Sequence, residues 1–118
     1  MNEVVLLVDD DADSAEVVAE LLGTRGITAH AALTGAAAMR LYDELRPALV
    51  IADQKLPDIE GSVLVAQLRA KFGDAVGPAL FMTGLKSSVK SQPGDVVLEK
   101  PVDFDTLLSV VEKLLKRA

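Results

Sequence analysis

The sequence predicts an α/β fold: a five-stranded parallel sheet wound on both faces by helices into a three-layer sandwich. Three observations carry this. Five short apolar runs alternate with helical patterns almost throughout. Four of the runs are apolar nearly without interruption, as strands covered on both faces must be. Consecutive parallel strands then require right-handed helical crossovers. A length of 118 residues suits one domain, and an apolar share of 50% suffices for one core, so residues 1–118 are expected to form a single unit.

The first strand is "VVLLV", residues 4–8. Asp13 followed by Glu16 then opens a helix in the manner of a capping box, with Val17, Val18, Leu21 and Leu22 as its apolar stripe and Gly23 as its stop. "ITAHAA", 27–32, sets Ile27, Ala29 and Ala31 against Thr28, His30 and Ala32, the alternation of an edge strand with one wetter face. Thr34 caps a second helix that presents Ala38, Leu41, Tyr42 and Leu45 and ends before Pro47. "ALVIA", 48–52, is the third strand, followed by a helix from about Ser62 to Lys71 that buries Leu64, Val65 and Leu68. "PALFM", 78–82, and "DVVL", 95–98, are the fourth and fifth strands. Between them "GLKSSVKSQPG", Gly84 to Gly94, must make the whole crossover, close to the minimum of about 10 to 12 residues. With one apolar residue in "KSSVKSQPG", the fourth crossover helix is expected to be a single turn or absent. The last helix starts at Asp103, buries Phe104, Leu107, Leu108, Val111, Leu114 and Leu115, and ends in Lys116 and Arg117, which suit the negative end of the helix dipole.

Charge and composition exclude several function classes. There are 18 acidic and 12 basic residues, net −6, and the basic ones are scattered rather than gathered into a stripe, which argues against a nucleic-acid partner. Zero cysteines remove disulfides, thiol catalysis and Cys-based zinc sites together. Glu3 and the acidic cluster at 9–11 are unlike a basic leader segment, and no apolar run reaches membrane-spanning length. The expectation is a cytoplasmic protein without a membrane partner. His30, alone on an edge strand, is read as having no chemical role.

In doubly wound folds the working site lies at the carboxyl ends of the strands, near the point where strand order reverses. Here strand 1 ends in Asp9, Asp10 and Asp11, strand 3 in Asp53, strand 4 in Thr83, and strand 5 in Glu99, Lys100 and Pro101. Like charges about 5 Å apart repel by roughly 3 kcal/mol at an effective dielectric of about 20, so the crowded carboxylates need compensation. A hard dication would supply it, and few ligands with retained waters point to Mg²⁺ rather than Ca²⁺. An ionised aspartate beside Mg²⁺, a hydroxyl and a lysine has the makings of a phosphoryl acceptor, since metal and lysine neutralise charge on the equatorial oxygens. Asp11 and Asp13 read instead as turn and N-cap residues.

"VDDD" at 8–11, "DQKLPDIEG" at 53–61, "FMTG" at 81–84 and "EKP" at 99–101, in this order and spacing, resemble the receiver domain of two-component response regulators over the whole chain. The resemblance implies a flavodoxin-like sandwich with strand order 2-1-3-4-5. It makes Asp53 the phosphoacceptor, Asp10 a direct Mg²⁺ ligand, Asp9 a ligand mostly through water, and the backbone carbonyl of Lys55 a further ligand. Thr83 would hydrogen-bond the phosphoryl oxygens after activation and Lys100 would pair with them. The Lys100–Pro101 peptide would be cis, a state found in only about 5 to 6% of X–Pro bonds. The implied function is a signalling domain that takes a phosphoryl group from a sensor histidine kinase or phosphotransfer protein and passes the change to a downstream protein by contact. At most it would catalyse its own phosphoryl transfer and dephosphorylation.

Two departures from the family pattern bear on mechanism. Val97 stands where receivers usually carry an aromatic switch residue, so the usual threonine-to-aromatic relay cannot operate. "PALFMTG" resembles a subgroup of stand-alone receivers with a Phe-Ala-Thr-Gly signature, no aromatic switch and a degenerate fourth crossover helix, although Met82 replaces its Ala and the aromatic soon after Gly84 is missing. Partner kinases of that subgroup are often of the HWE class. Two other functions compete. Asp9-x-Asp11 resembles the nucleophile motif of haloacid-dehalogenase-like phosphatases, but the late acidic pair that family needs is missing. A flavodoxin-like cofactor binder would need a phosphate-cradling loop after strand 1, where this chain has carboxylates.

Overall fold

Successive side chains of a strand point to opposite faces, and this chain fills both. The structure, a computed structural model, describes residues 3–115. Its elements in chain order are β1 (Glu3–Val8), α1 (Ala12–Gly23), β2 (Ile27–Ala32), α2 (Gly35–Leu45), β3 (Leu49–Asp53), α3 (Gly61–Phe72), β4 (Ala79–Thr83), β5 (Val96–Glu99) and α4 (Phe104–Leu114), with short 3-10 turns at Gly73–Val76 and Lys86–Ser88. The sheet is parallel with order β2-β1-β3-β4-β5, the order and fold the sequence implies.

Parity along the strands divides the core into two layers. Leu6, Val8, Val50, Ala52, Ala79 and Phe81 pack with Ala38, Tyr42, Leu64 and Leu68 of α2 and α3. Val5, Leu7, Leu49, Ile51, Leu80 and Met82 pack with Ala15 and Leu22 of α1 and Leu107, Leu108 and Val111 of α4. Because each central strand feeds both layers, its sequence has no polar face, which is why those runs read as continuously apolar.

Three expectations need correction. Asp11, not Asp13, caps α1: its side chain accepts from the amides of Asp13 and Ser14, which places Asp13 already inside the first turn. With that start the inward stripe runs through Ala15, Val18 and Leu22, and Val17 turns outward, 55% exposed. On β2, Ile27 is buried and Ala29 half-buried, but Ala31 is exposed, whereas Ala32 reaches the other layer. On β5, Val96, Val97 and Leu98 are only half-buried, because β5 is an edge and its crossover supplies no helix to cover the α2–α3 side. Asp103 caps α4 through the Thr106 amide, and Thr34 caps α2 through the Ala37 amide. Lys116 and Arg117 lie outside the described residues.

In place of a crossover helix, polar pins hold β5 to the body. The Asp95 side chain, fully buried, pairs with the Arg69 guanidinium of α3 at 2.7 and 3.2 Å and accepts from the backbone amides of Ala79 at 2.8 Å and Gln92 at 2.8 Å. Arg69 also donates to the Gly77 carbonyl. One carboxylate thus ties α3, the start of β4 and the end of the crossover together. Replacing it by Ala should cost about 3 kcal/mol, because Arg69 and two amides lose a charged acceptor at once. Urea unfolding of Asp95→Ala checks this, and a midpoint equal to that of the parent would refute it.

A second carboxylate, Asp58 in the β3–α3 loop, accepts from the amides of Gly35 at 2.8 Å and Ala36 at 3.0 Å and so seats that loop on the start of α2. These backbone hydrogen bonds hold the Asp58 pKa below the ordinary aspartate value. A depressed pKa contributes stability above the unfolded value of about 3.9, and that stability is lost as pH falls through the folded value. Asp58→Ala should therefore lower the melting temperature at neutral pH, with the gap to the parent closing as the pH is taken below the folded-state value. Paired thermal melts across that range test it.

Candidate functional site

The strand order reverses between β1 and β3, whose crossovers run to opposite sides, and this opens a crevice at their carboxyl ends. Asp9, just after β1, and Asp53, the last residue of β3, are both buried there, whereas Asp10 is exposed. Each of the three carboxylates can bring one oxygen within 4.8 Å of the others. Asp9 is oriented by the Asp11 amide, which donates to its Oδ1 at 3.0 Å, and by its own amide, which donates to the Ala32 carbonyl.

Opposite them stands one cation. Lys100 Nζ lies 2.8 Å from Asp53 Oδ1, its stem running in from the exposed loop after β5. The contact is an ion pair without directed hydrogen-bond geometry, and Oδ1 is buried with no hydrogen-bond partner. Burial, the neighbouring Asp9 carboxyl and its charge push the Asp53 pKa up to about 6 against the pull of Lys100. Burial lowers the Lys100 pKa, but the contact with Asp53 and the fields of Asp53, Asp9 and Asp10 outweigh it and leave the ammonium above its ordinary value. By formal charge, one ammonium faces three carboxylates at this rim. An all-oxygen donor set with a buried carboxylate oxygen that accepts no directed hydrogen bond is the chemistry that suits a hard divalent ion.

Thr83 ends β4 and is buried, but its hydroxyl does not engage Asp53. It accepts from the Leu85 amide at 3.1 Å, lies 3.1 Å from the Leu85 carbonyl and stands 3.3 Å from Ser88 Oγ. The Thr83 carbonyl accepts from the Lys100 amide at 2.7 Å, so the end of β4 also sets the height of the lysine. The Lys100–Pro101 peptide is cis. Val97 pairs with Phe81 across the sheet and is half-buried against the α2–α3 layer. Lys55 is exposed, in a loop closed by an antiparallel bridge to Glu60.

Two residues of the site lie within "DQKLPDIEG", 53–61, but are given no role by the sequence. Gln54 is 4% exposed; Nε2 donates to Ser62 Oγ at 3.0 Å and to the Ser88 carbonyl at 2.8 Å, and Oε1 accepts from the Ser62 amide at 2.9 Å. Parity could have flagged it, since Gln54 continues the inward series Val50, Ala52 and is polar there. Gly61 is the other: α3 starts so close to β3 that a Cβ at this position would collide with the Asp53 carbonyl. Two clefts flank the β3 end. One, about 480 Å³, is lined by Asp9, Asp53, Lys100 and Leu107; the other, about 570 Å³, by Gln54, Leu56, Ile59, Leu85 and Ser88.

Comparison with known proteins places these features in context. Residues 5–112 match the family model of the response regulator receiver domain. The "DNA-binding dual master transcriptional regulator RpaA" of Synechocystis is 30% identical over 118 aligned positions, 96% of this chain and 49% of that protein. The "Transcriptional regulatory protein PrrA" of Mycobacterium leprae is 32% identical over 119 positions, 96% of this chain and 50% of that protein. The chain spans about half the length of these curated relatives. Among solved structures, a CheY-like receiver domain from Methylobacillus flagellatus superposes with a TM-score of 0.85 at 28% identity, covering 97% of this chain and 99% of that one. Chemotaxis protein CheY4 of Vibrio cholerae gives 0.86 at 24% identity, with coverage of 97% and 99%, a likeness of fold alone.

Gly61→Ala tests how tightly the site is framed. The added methyl meets backbone rather than a flexible side chain, so relief requires α3 or the β3 end to shift, at a cost of about 1 to 3 kcal/mol. Thermal or urea unfolding measures it; a variant as stable as the parent would show that the close approach is not a constraint.

Proposed function

The chain belongs to the response regulator receiver domain family, and on that premise we propose that Asp53 accepts a phosphoryl group from a phosphohistidine of a sensor histidine kinase or phosphotransfer protein. The observation that carries this is the buried Asp53 carboxylate, with an oxygen that has no hydrogen-bond partner, 2.8 Å from the Lys100 ammonium and beside two further carboxylates. An Asp53 oxygen bonds to phosphorus as the phosphorus–nitrogen bond breaks, and the departing imidazole keeps the electron pair and takes up a proton. Lys100 holds its charge beside the acceptor throughout, and the Thr83 hydroxyl, at the end of β4, would turn from its crossover contacts to a phosphoryl oxygen.

Asp9, Asp10, Asp53 and the Lys55 carbonyl would hold Mg²⁺, which when bound offsets the carboxylate repulsion and the charge on the phosphoryl oxygens. The new phosphoryl charge of about −1.5 to −2 then shifts the surface that a downstream protein reads. Receivers are signalling domains rather than dedicated enzymes; self-catalysed transfer and dephosphorylation are part of this reading. The phosphatase alternative is disfavoured because Asp11, its second motif carboxylate, is spent capping α1. The stand-alone form, residues 1–118 acting as one unit, and an HWE-type kinase partner rest on the "PALFMTG" resemblance alone. A cytoplasmic location goes with a kinase partner; among the described residues no helix is long and apolar enough to cross a membrane. The charge argument against nucleic acid concerns these residues only, since relatives such as RpaA are about twice as long.

Incubation with Mg²⁺ and a small acyl phosphate should add one phosphoryl group by intact mass. The adduct should vanish in Asp53→Ala and on chelation of the metal. Modification that persists in Asp53→Ala would overturn the assignment.

A further inference from the structure

Asp53 and Gln54 are adjacent, so they face opposite sides of the sheet, and each lines a different cleft. Asp53 looks toward the α1–α4 side. Gln54 looks toward the crossover between β4 and β5, where its amide donates to the Ser88 carbonyl at 2.8 Å. That amide cannot turn: its second proton and its oxygen are both committed to Ser62, and its backbone amide and carbonyl are held by Met82 and Gly61. The 3-10 turn Lys86–Ser88 therefore hangs on the sheet at two points of different character. Gln54 is fixed. Thr83 holds the same turn through a hydroxyl whose contacts, the Leu85 amide and carbonyl and Ser88 Oγ, all lie in the crossover.

We infer that Gln54 is a positioning residue that makes this turn pivot, so that Asp53 is read out through Ser88 and Leu85 in a chain where Val97 leaves no aromatic relay. The inference rests on the phosphoacceptor reading of Asp53. When the Thr83 hydroxyl leaves for a phosphoryl oxygen, the Leu85 amide loses its acceptor and the Leu85 carbonyl keeps only Ser88, which donates to it through Oγ at 2.6 Å and through its amide at 3.0 Å. The Ser88 carbonyl stays on Gln54. The turn then swings about that bond, and the residue it displaces is Leu85, 62% exposed at the mouth of the second cleft. Without the Gln54 anchor the turn rests on Thr83 alone before modification and on neither point afterwards, so the fixed axis is lost and the directed displacement is weakened.

The test uses the full chain and amide chemical shifts with and without Mg²⁺ and beryllofluoride, while uptake of a phosphoryl group at Asp53 is measured separately by intact mass. In the parent, the Leu85–Val89 amides should shift. Gln54→Met should still be modified at Asp53, with that response reduced about fivefold, the effect of one net hydrogen bond on a two-state balance. Ser62→Ala removes the hydroxyl partner of Nε2 but leaves the Ser62 amide on Oε1 and the Ser88 carbonyl on Nε2, so the anchor stays in place and the parental response should be kept; a purely structural role for Gln54 would make the two variants equivalent. A Gln54→Met response equal to the parent's, or an equal loss in Ser62→Ala, overturns the inference. Should Gln54→Met not fold, Ser88→Ala decides: it keeps the carbonyl on Gln54 but cuts the hydroxyl link, so the response should persist at Leu85 and fade at Ser88 and Val89, and a turn that responds unchanged refutes the pivot. Absence of phosphoryl uptake in the parent would overturn both this inference and the reading beneath it, and the mass measurement separates that case from the others.

Discussion

Asp9 and Asp53 are buried next to one another on adjacent strands, where water cannot screen them, and the rest of the rim is arranged around that repulsion. A single ammonium opposes two buried carboxylates and one exposed one, and Asp53, desolvated by burial and set beside Asp9, keeps a pKa raised to about 6 despite the contact with Lys100. The position of that ammonium is in turn set by main chain. The Lys100 amide donates to the Thr83 carbonyl, so the lysine stands at the correct height only if β5 is docked in register on β4. Electrostatic balance at the β1–β3 crevice thus depends on an edge strand two places away.

Docking an edge strand usually relies on the apolar face of the helix that delivers it. Here the delivering segment has a three-residue 3-10 turn instead, and the α2–α3 side of β5 is covered by little more than Val89. Directed polar contacts compensate: Asp95 fastens the end of the segment to Arg69 and to the start of β4, and Gln54 fastens its middle. Such pins fix position well but bury little apolar area, so β5 remains half-exposed and an open groove lies between Leu56, Ile59 and Leu85. A segment held by a few hydrogen bonds is also one whose balance a single hydroxyl can change.

The sheet was legible in the sequence because each central strand must satisfy two apolar layers, which leaves an unbroken apolar run, and because β2, lacking that burden, alternates. Asp9, Asp53 and Thr83 were legible for a related reason: each is the first polar residue after such a run, Lys100 follows one place after Glu99, and the topology gathers those ends at one rim. Asp11 and Asp13 were not separable, since both are acceptable caps and only the backbone's entry angle decides. Val17 is outward for the same cause, since the helix starts two residues earlier than Asp13 would place it and its inward stripe runs through Ala15, Val18 and Leu22. The partners of Gln54 and Asp95 were out of reach because they lie far off in the chain, Ser88 at a separation of 34 and Arg69 at 26, and no local period encodes such pairs.

The parity of β3 also bears on how a change at the rim could travel. Coupling between sites is usually sought through the core, along chains of packed side chains that must themselves have two arrangements. Here the core between the two layers need not move. Asp53 ends the series Leu49, Ile51 on the α1–α4 side, and Gln54 ends the series Val50, Ala52 on the other, so one peptide unit separates a carboxylate chemistry from a hydrogen-bonded crossover. Gly61 keeps α3 pressed against that same unit, and the Gly61 amide holds the Gln54 carbonyl at 2.8 Å. Beside that backbone link stands the Thr83 hydroxyl, whose contacts with the Leu85 amide and carbonyl both lie in the crossover. A readout of the kind inferred for Gln54 and the crossover turn needs no aromatic side chain to change its burial, and Val97, half-buried against the α2–α3 layer, offers none.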